Sequence, residues 1–255
     1  MKVIILAGGF GTRISDINKD IPKPMLPIGN KPIIWHIMNY YTKFGFNDFV
    51  IALGYKSDVI KEYFYNYYYK NSNFTVNLNS GEIDHIESTK INWKVSLIET
   101  GINSLTGKRL IKLKKYINNE RFFLTYGDGL SNINIKQLLN FHIKNKKFAT
   151  LSAVRPTARF GELKISNNKV IKFEEKPQIS DGWINGGFFV FEPEFFKYLS
   201  SNKNEMLERE PILRALKDKQ LMSFKHNGFW QPMDTRRDYD SLNKLWNNKK
   251  APWDI

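Results

Sequence analysis

The 255-residue chain has no cysteine. That removes disulfides, thiolate metal sites and cysteine nucleophiles together, and a chain of this kind needs no oxidising compartment, so a cytoplasmic protein is expected. No apolar run approaches the roughly 20 residues that a membrane-crossing helix requires, and no membrane partner is expected. The opening Met1-Lys2 and the run Val3–Ala7 give too short an apolar stretch for a signal peptide. Acidic residues are few beside basic ones, 25 against 39, which leaves a formal charge of +14 and a surface that should attract anions. The four histidines, His36, His85, His142 and His226, share no metal-ligand spacing. The serines form no G-x-S-x-G elbow, which argues against a hydrolase of that type. Gly101–Arg109 is not a P-loop either: five residues separate its glycines, and Arg109 stands where Ser or Thr should hold magnesium.

What the chain does have is the balance of a folded protein, 42% hydrophobic and 25% charged. Val3–Leu6, Asp48–Leu53 and Phe122–Tyr126 read as buried strands, and Pro32–Phe44, Asp58–Tyr69 and Gly107–Tyr116 as helices. Phe74–Glu87 and Val95–Glu99 look less regular. Beyond Ala149 come short strands at Ala149–Val154, Glu162–Ile165, Val170–Phe173, Phe188–Phe191 and Leu221–Lys225. Helices follow near Pro193–Leu199, Glu210–Lys217 and Arg237–Trp246. The alternation predicts an α/β fold: a Rossmann-like, mostly parallel sheet flanked by helices, with a small additional β region and C-terminal helices. One unit over 1–255 is expected, with the reading changing near residue 150 from alternating strands and helices to short strands and then helices. Ligands of such sheets sit beyond the carboxyl ends of the strands, which is where Gly8–Arg13 and Gly127-Asp128 should lie.

Glycines 8, 9 and 11 after the first strand let backbone N–H groups approach phosphate oxygens, with Arg13 two residues on to meet the charge. A tight strand exit with Arg13 in water explains the same residues equally well. Asp128, between two glycines at the end of a strand, suits a magnesium ligand and also suits an ordinary turn. Asp234 offers a second carboxylate; magnesium takes one or two carboxylates plus substrate phosphates, so two aspartates suffice if they converge. Spacing alone does not show convergence. Lys23, held extended between Pro22 and Pro24, can be aimed at a fixed point, and Lys176 before Pro177 is similar.

In order along the chain, Leu6-Ala7-Gly8-Gly9-Phe10-Gly11-Thr12-Arg13, Pro22-Lys23-Pro24, Tyr126-Gly127-Asp128-Gly129, Glu174-Glu175-Lys176-Pro177 and Asp234 resemble the sugar-phosphate nucleotidyltransferases. Trp35-His36-Ile37-Met38, Thr100-Gly101, Thr106-Gly107-Lys108-Arg109, Ile184–Val190 and Gly228–Thr235 are similar to the glucose-1-phosphate cytidylyltransferase branch. The resemblance runs from Met1 to the Ala251-Pro252-Trp253 tail. It implies transfer of CMP from CTP to α-D-glucose 1-phosphate, giving CDP-glucose and pyrophosphate, with Mg2+ as cofactor. It also implies roles for residues. Arg13 and Lys23 would be catalytic. Leu6, Ala7, Gly8, Gly9, Phe10, Gly11, Thr12, Arg13, Lys23, Ser104, Arg109 and Gly127 would bind the nucleotide. Gly161, Glu175, Lys176 and Asn185 would bind the sugar phosphate, and Asp128 and Asp234 the metal.

The chain departs from the family pattern at Ile21, where a lysine is common, at Lys108, where a glycine is usual, and in the Pro156-Thr157-Ala158-Arg159 stretch. A uridylyl- or thymidylyltransferase is the near alternative, because a few backbone hydrogen bonds discriminate the bases. A nucleic-acid-binding module, prompted by Lys108, Arg109, Lys112, Lys114 and Lys115, is the distant one. It is disfavoured, because the basic residues are dispersed and no groove-reading motif accompanies them, so no nucleic-acid partner is expected. A homo-oligomer is expected, with Tyr63, Tyr65, Tyr67, Tyr68 and Tyr69 as candidates for a subunit contact.

Overall fold

The computed structural model describes residues 1–14, 17, 20–88, 91–156, 162–174 and 182–254; Gly161, Glu175 and Lys176 lie outside them, and so does the side chain of Arg13. The strands of the main sheet are numbered in chain order: β1 Lys2–Leu6, β2 Asp48–Leu53, β3 Lys94–Glu99, β4 Phe122–Tyr126, β5 Ala149–Val154, β6 Ile184–Phe191 and β7 Leu221–His226. The helices are α1 Ile33–Thr42, α2 Ser57–Tyr65, α3 Tyr67–Lys70, α4 Thr106–Lys112, α5 Ile135–Asn145, α6 Glu210–Lys217 and α7 Arg236–Asn247.

Across the sheet the strand order is β7-β5-β6-β4-β1-β2-β3. β1 lies parallel to both β2 and β4, with Leu6 level with Ala52 and Tyr126, so the carboxyl ends of the central strands finish on one rim. β6 runs against its neighbours β4 and β5, while β7 is parallel to β5. Its first residues, Ile184 and Asn185, therefore start at the rim where the other strands end. The expected Rossmann-like, mostly parallel sheet is the one observed.

Side chains alternate between two faces, as the period of a strand dictates. Val3 and Ile5 of β1, with Phe49, Ile51 and Leu53 of β2, pack against α1, α5 and α7. Ile4, Leu6, Val50 and Ala52 face the other way, onto α4, α6 and the 3-10 turn Pro193–Tyr198. Both faces are buried, which is why these strands read as continuous apolar runs rather than as alternating ones. In α1 the buried set Ile33, Ile34, Ile37, Met38 and Tyr41 follows helical spacing, with Pro32 immediately before the first turn, where its missing N–H costs nothing.

Three sequence expectations need correction. The single helix over Asp58–Tyr69 is two, broken at Asn66 (φ −89°, ψ 4°), because Tyr63 and Tyr67 turn inward towards Phe64, Trp35 and Trp93 while Tyr65 remains 83% exposed. The irregular stretch Val95–Glu99 is the parallel edge strand β3, its polar ends masking a pairing along the full length of β2. The stretch Phe74–Glu87 lies within an antiparallel hairpin, Ser72–Val76 with Ile83–Ser88, whose exposed faces carry no clean alternation. Helix α5 has a readable signal in its Asn134 cap, which accepts from the Gln137 N–H, and in buried Ile135, Leu138 and His142.

Because Ile5 is wholly buried in the central strand, Ile5→Ala is expected to lower unfolding free energy by about 2–5 kcal/mol with no change of denaturant slope, measured by urea titration.

Candidate active site

The first half of the site is the turn that follows β1. Ala7 N–H donates to Ala52 O at 3.0 Å and Tyr55 N–H donates to Gly8 O at 3.1 Å, which fixes the start of the glycine loop on β2 and its exit. Gly8 is compelled by packing: a Cβ there would lie 2.2 Å from Nη1 of Arg109. Gly11 is compelled by its backbone, with φ at +63°. Gly9 and Phe10 are exposed at the lip, and the Phe10 ring leans on Tyr55 with centroids 5.2 Å apart.

A cleft of about 340 Å³ opens over this loop. Leu6 to Thr12, Lys23 and Gly127-Asp128 form one side, and Ile102 to Thr106, Arg109 and Met206 the other. All the proposed nucleotide-side residues whose side chains are described line it. Arg109 does so in an unexpected way. Its side chain is buried, and its guanidinium donates to Leu53 O, Thr100 Oγ1 and Gly101 O through Nη1, and to Gly8 O and Ile102 O through Nη2, at 2.7–3.2 Å. These bonds staple the glycine loop to the 100–102 loop; burial holds the guanidinium below its ordinary value, with Glu99 opposing. Ser104 Oγ donates to Thr100 O at 2.5 Å, and Lys112 Nζ reaches the same carbonyl at 2.7 Å.

The second half is charged. Lys23 sits on a 3-10 turn, Lys23–Met25, entered through Pro22 in extended geometry. Its ammonium donates to Asp128 Oδ2 at 2.6 Å and to Asp234 Oδ1 at 2.5 Å. Burial opposes this charge, but the Asp128 and Asp234 carboxylates outweigh it and hold the ammonium above its ordinary value. The two aspartates meet because of a small ribbon. Gly129–Ser131 pairs antiparallel with Trp230–Pro232, and Met233 N–H donates to Asp128 O at 2.8 Å. Asp234 then lies just ahead of α7, whose Thr235 and Asp238 form a reciprocal capping box. Asp238 Oδ2 also accepts from the Asp234 N–H at 3.1 Å, which fixes the backbone that presents the carboxylate.

Two carboxylates sharing one cation at the rim are a donor set suited to a hard divalent ion that keeps further oxygen ligands from phosphates or water. Among the described residues no cluster of three or more His, Cys, Asp or Glu offers a complete protein cage. Asn185 lies farther along the rim, opposite Ala153, and its Oδ1 accepts from Gly187 N–H at 3.0 Å. Nearby, the Trp183 ring has the Arg155 guanidinium 4.4 Å and the Lys225 ammonium 5.4 Å from its centroid.

The family pattern described as nucleotidyl transferase matches residues 2–247. The chain belongs to the nucleotidyl transferase family. Among its relatives, the glucose-1-phosphate cytidylyltransferases of Salmonella typhi and Salmonella typhimurium are each 45% identical over 254 residues, covering 99% of this chain and 98% of theirs. A solved UDP-glucose pyrophosphorylase complexed with UDP-glucose superposes with a TM-score of 0.68 at 20% identity, covering 97% of this chain and 98% of that one, which shows the same nucleotidyl transferase fold.

For this nucleotidyl transferase, sequence reasoning missed Tyr126, Asn103, Thr106, Met206 and Glu208 at the cleft or in its wall. No motif spacing could have found Glu208, since it reaches the site only through the packing of 201–208 on the 102–109 loop. A larger groove of about 650 Å³ lies away from the rim, bounded by Lys61, Phe64, Tyr65, Tyr67, Tyr68 and Trp93 among others; its apolar, aromatic walls do not suit a triphosphate.

The raised Lys23 value fixes the sign of a pH effect. The stabilisation that wild type holds over Lys23→Met is expected to be constant below about pH 10, where the ammonium is charged in both folded and unfolded chains, and to shrink as pH rises beyond the ordinary lysine value of 10.5. Urea titrations of both proteins between pH 8 and 11 read it directly. Gly8→Ala is expected to weaken nucleotide binding about tenfold or more by driving the Arg109 guanidinium off the loop carbonyls, measured by calorimetric titration with CTP.

Proposed function

We propose that the protein transfers CMP from CTP to α-D-glucose 1-phosphate, releasing pyrophosphate and forming CDP-glucose. The observation that carries the reading is the convergence of Asp128 and Asp234 on Lys23, beside a glycine loop at the carboxyl rim of a parallel sheet. The identity and near-complete coverage of the Salmonella cytidylyltransferases support the choice of CTP and glucose 1-phosphate. In this reading residues 1–150 supply most of the nucleotide side and 151–255 most of the sugar side. The enzyme acts without membrane or nucleic-acid partners, in the cytoplasm and as a homo-oligomer. Among the described residues no helix is long and apolar enough to cross a membrane.

In the reaction, an oxygen of the sugar phosphate attacks the α-phosphorus of CTP in line, and the bond from that phosphorus to the bridging oxygen breaks as pyrophosphate leaves. Little covalent work is asked of the protein; it must bring two anions together and spread the developing charge. The backbone of Ala7–Thr12 forms the floor on which the nucleotide lies, kept in place by the Arg109 staple. Asp128 and Asp234 would hold Mg2+, which when bound offsets phosphate charge. Lys23, already a buried cation at this point, supplies a fixed positive charge to the reacting phosphate, and Arg13 a second one at the triphosphate. On the sugar side Asn185 contributes its amide, with Gly161, Glu175 and Lys176 assigned to the same task.

Pyrophosphate release from CTP, glucose 1-phosphate and Mg2+ tests the proposal. Asp128→Asn and Asp234→Asn are each expected to lower kcat by about 100-fold or more while the fold persists by circular dichroism. Wild-type activity that is confined to UTP or dTTP in a nucleotide panel would overturn the assignment of CTP, and variants as fast as wild type would overturn the roles of the aspartates.

A further inference from the structure

Among the polar groups that the mechanism leaves unused, one half-buried carboxylate stands out by where its bonds lead. Glu208 Oε2 accepts from Thr106 Oγ1 at 2.7 Å, and Glu208 Oε1 accepts a short hydrogen bond from the Tyr126 hydroxyl. Thr106 opens α4 on the nucleotide wall of the cleft; Tyr126 ends β4, two residues before Asp128, and also lines the cleft. Thr106 is held from a second direction, since its Oγ1 accepts from Leu207 N–H at 2.8 Å. The same two segments are sewn together by Leu105 N–H to Asn204 Oδ1 at 2.8 Å, Asn204 Nδ2 to Asn103 O at 2.9 Å, and Gly107 N–H to Glu205 O at 3.0 Å. Of these contacts only the bond between Glu208 and Tyr126 reaches the central sheet.

We propose that Glu208 is the positioning residue of the nucleotide wall: by accepting from Thr106 and Tyr126 at once, it sets the 103–106 loop against the end of β4. This rests on the reading of the site as a nucleotidyl transfer centre. Glu208 makes neither of the Lys23 bonds, so its loss misplaces the wall and not the charged cluster. The cost falls on substrate binding. Glu208→Gln keeps only one acceptor oxygen, so either the Thr106 or the Tyr126 hydroxyl must face an amide N–H₂ and lose its acceptor.

Steady-state kinetics of wild type, Glu208→Gln, Thr106→Val and Tyr126→Phe, with CTP and glucose 1-phosphate varied separately, test this. Glu208→Gln and Thr106→Val are expected to raise KM for CTP about tenfold with kcat within about twofold of wild type. Tyr126→Phe is expected to raise the CTP KM likewise, and Thr106→Ser, which keeps the hydroxyl, to recover the CTP KM that Thr106→Val loses. Melting temperatures are followed alongside. A fall in kcat at unchanged KM would overturn the positioning role, and so would lowered melting temperatures with both KM values at the wild-type level. A wild type unable to release pyrophosphate would instead remove the reading of the site, and this inference with it.

Discussion

The ammonium of Lys23 lies 2.6 Å from Asp128 and 2.5 Å from Asp234, and it joins positions separated by 105 and 211 residues along the chain. Each partner alone would be costly. Two carboxylates near each other repel, and a lysine of which a tenth is exposed loses much of its hydration. Together the three groups compensate one another, and that compensation is a constraint on the fold. Lys23 needs the extended Pro22 entry, Asp128 needs β4 beside β1, and Asp234 needs the ribbon of Gly129–Ser131 with Trp230–Pro232. A divalent ion would meet the same two carboxylates that the ammonium now bridges, so the site is built around positive charge.

Much of this architecture follows from short-range rules that a sequence displays. β1, β2 and β4 are legible because a strand buried on both faces is apolar at every position, and the glycines after β1 mark where the chain must turn over a ligand. Asp128 and Asp234 stand out as carboxylates beside turns. Their meeting is a different matter: it depends on a three-residue ribbon whose pairing no local pattern announces. β3 was obscured for a related reason, since its ends Lys94 and Glu99 are exposed and only its pairing with β2 identifies it. The break of the tyrosine-rich helix at Asn66 reflects competition between an inward aromatic cluster and the helical repeat, which propensity does not weigh.

Arg109 shows how the two levels differ. By resemblance Arg109 is a nucleotide-binding residue, whereas the structure turns its guanidinium inward onto five oxygen acceptors. Those bonds rigidify the glycine loop proposed as the floor for the nucleotide, and a preorganised floor is what charge stabilisation requires. Glu208 does the equivalent for the opposite wall. Neither function is visible in spacing, because both rest on backbone carbonyls and hydroxyls that come together only once the sheet and its crossovers have formed.

The central claim is that Asp128 and Asp234 jointly hold the cation used in nucleotidyl transfer. A crystal soaked with CTP and Mn2+, with anomalous data collected at the manganese edge, tests it most directly. The account predicts an anomalous peak within coordination distance of both carboxylates, with the Lys23 ammonium turned from them to the phosphates. A peak remote from either aspartate, or Lys23 still bridging the pair beside bound nucleotide, would contradict it.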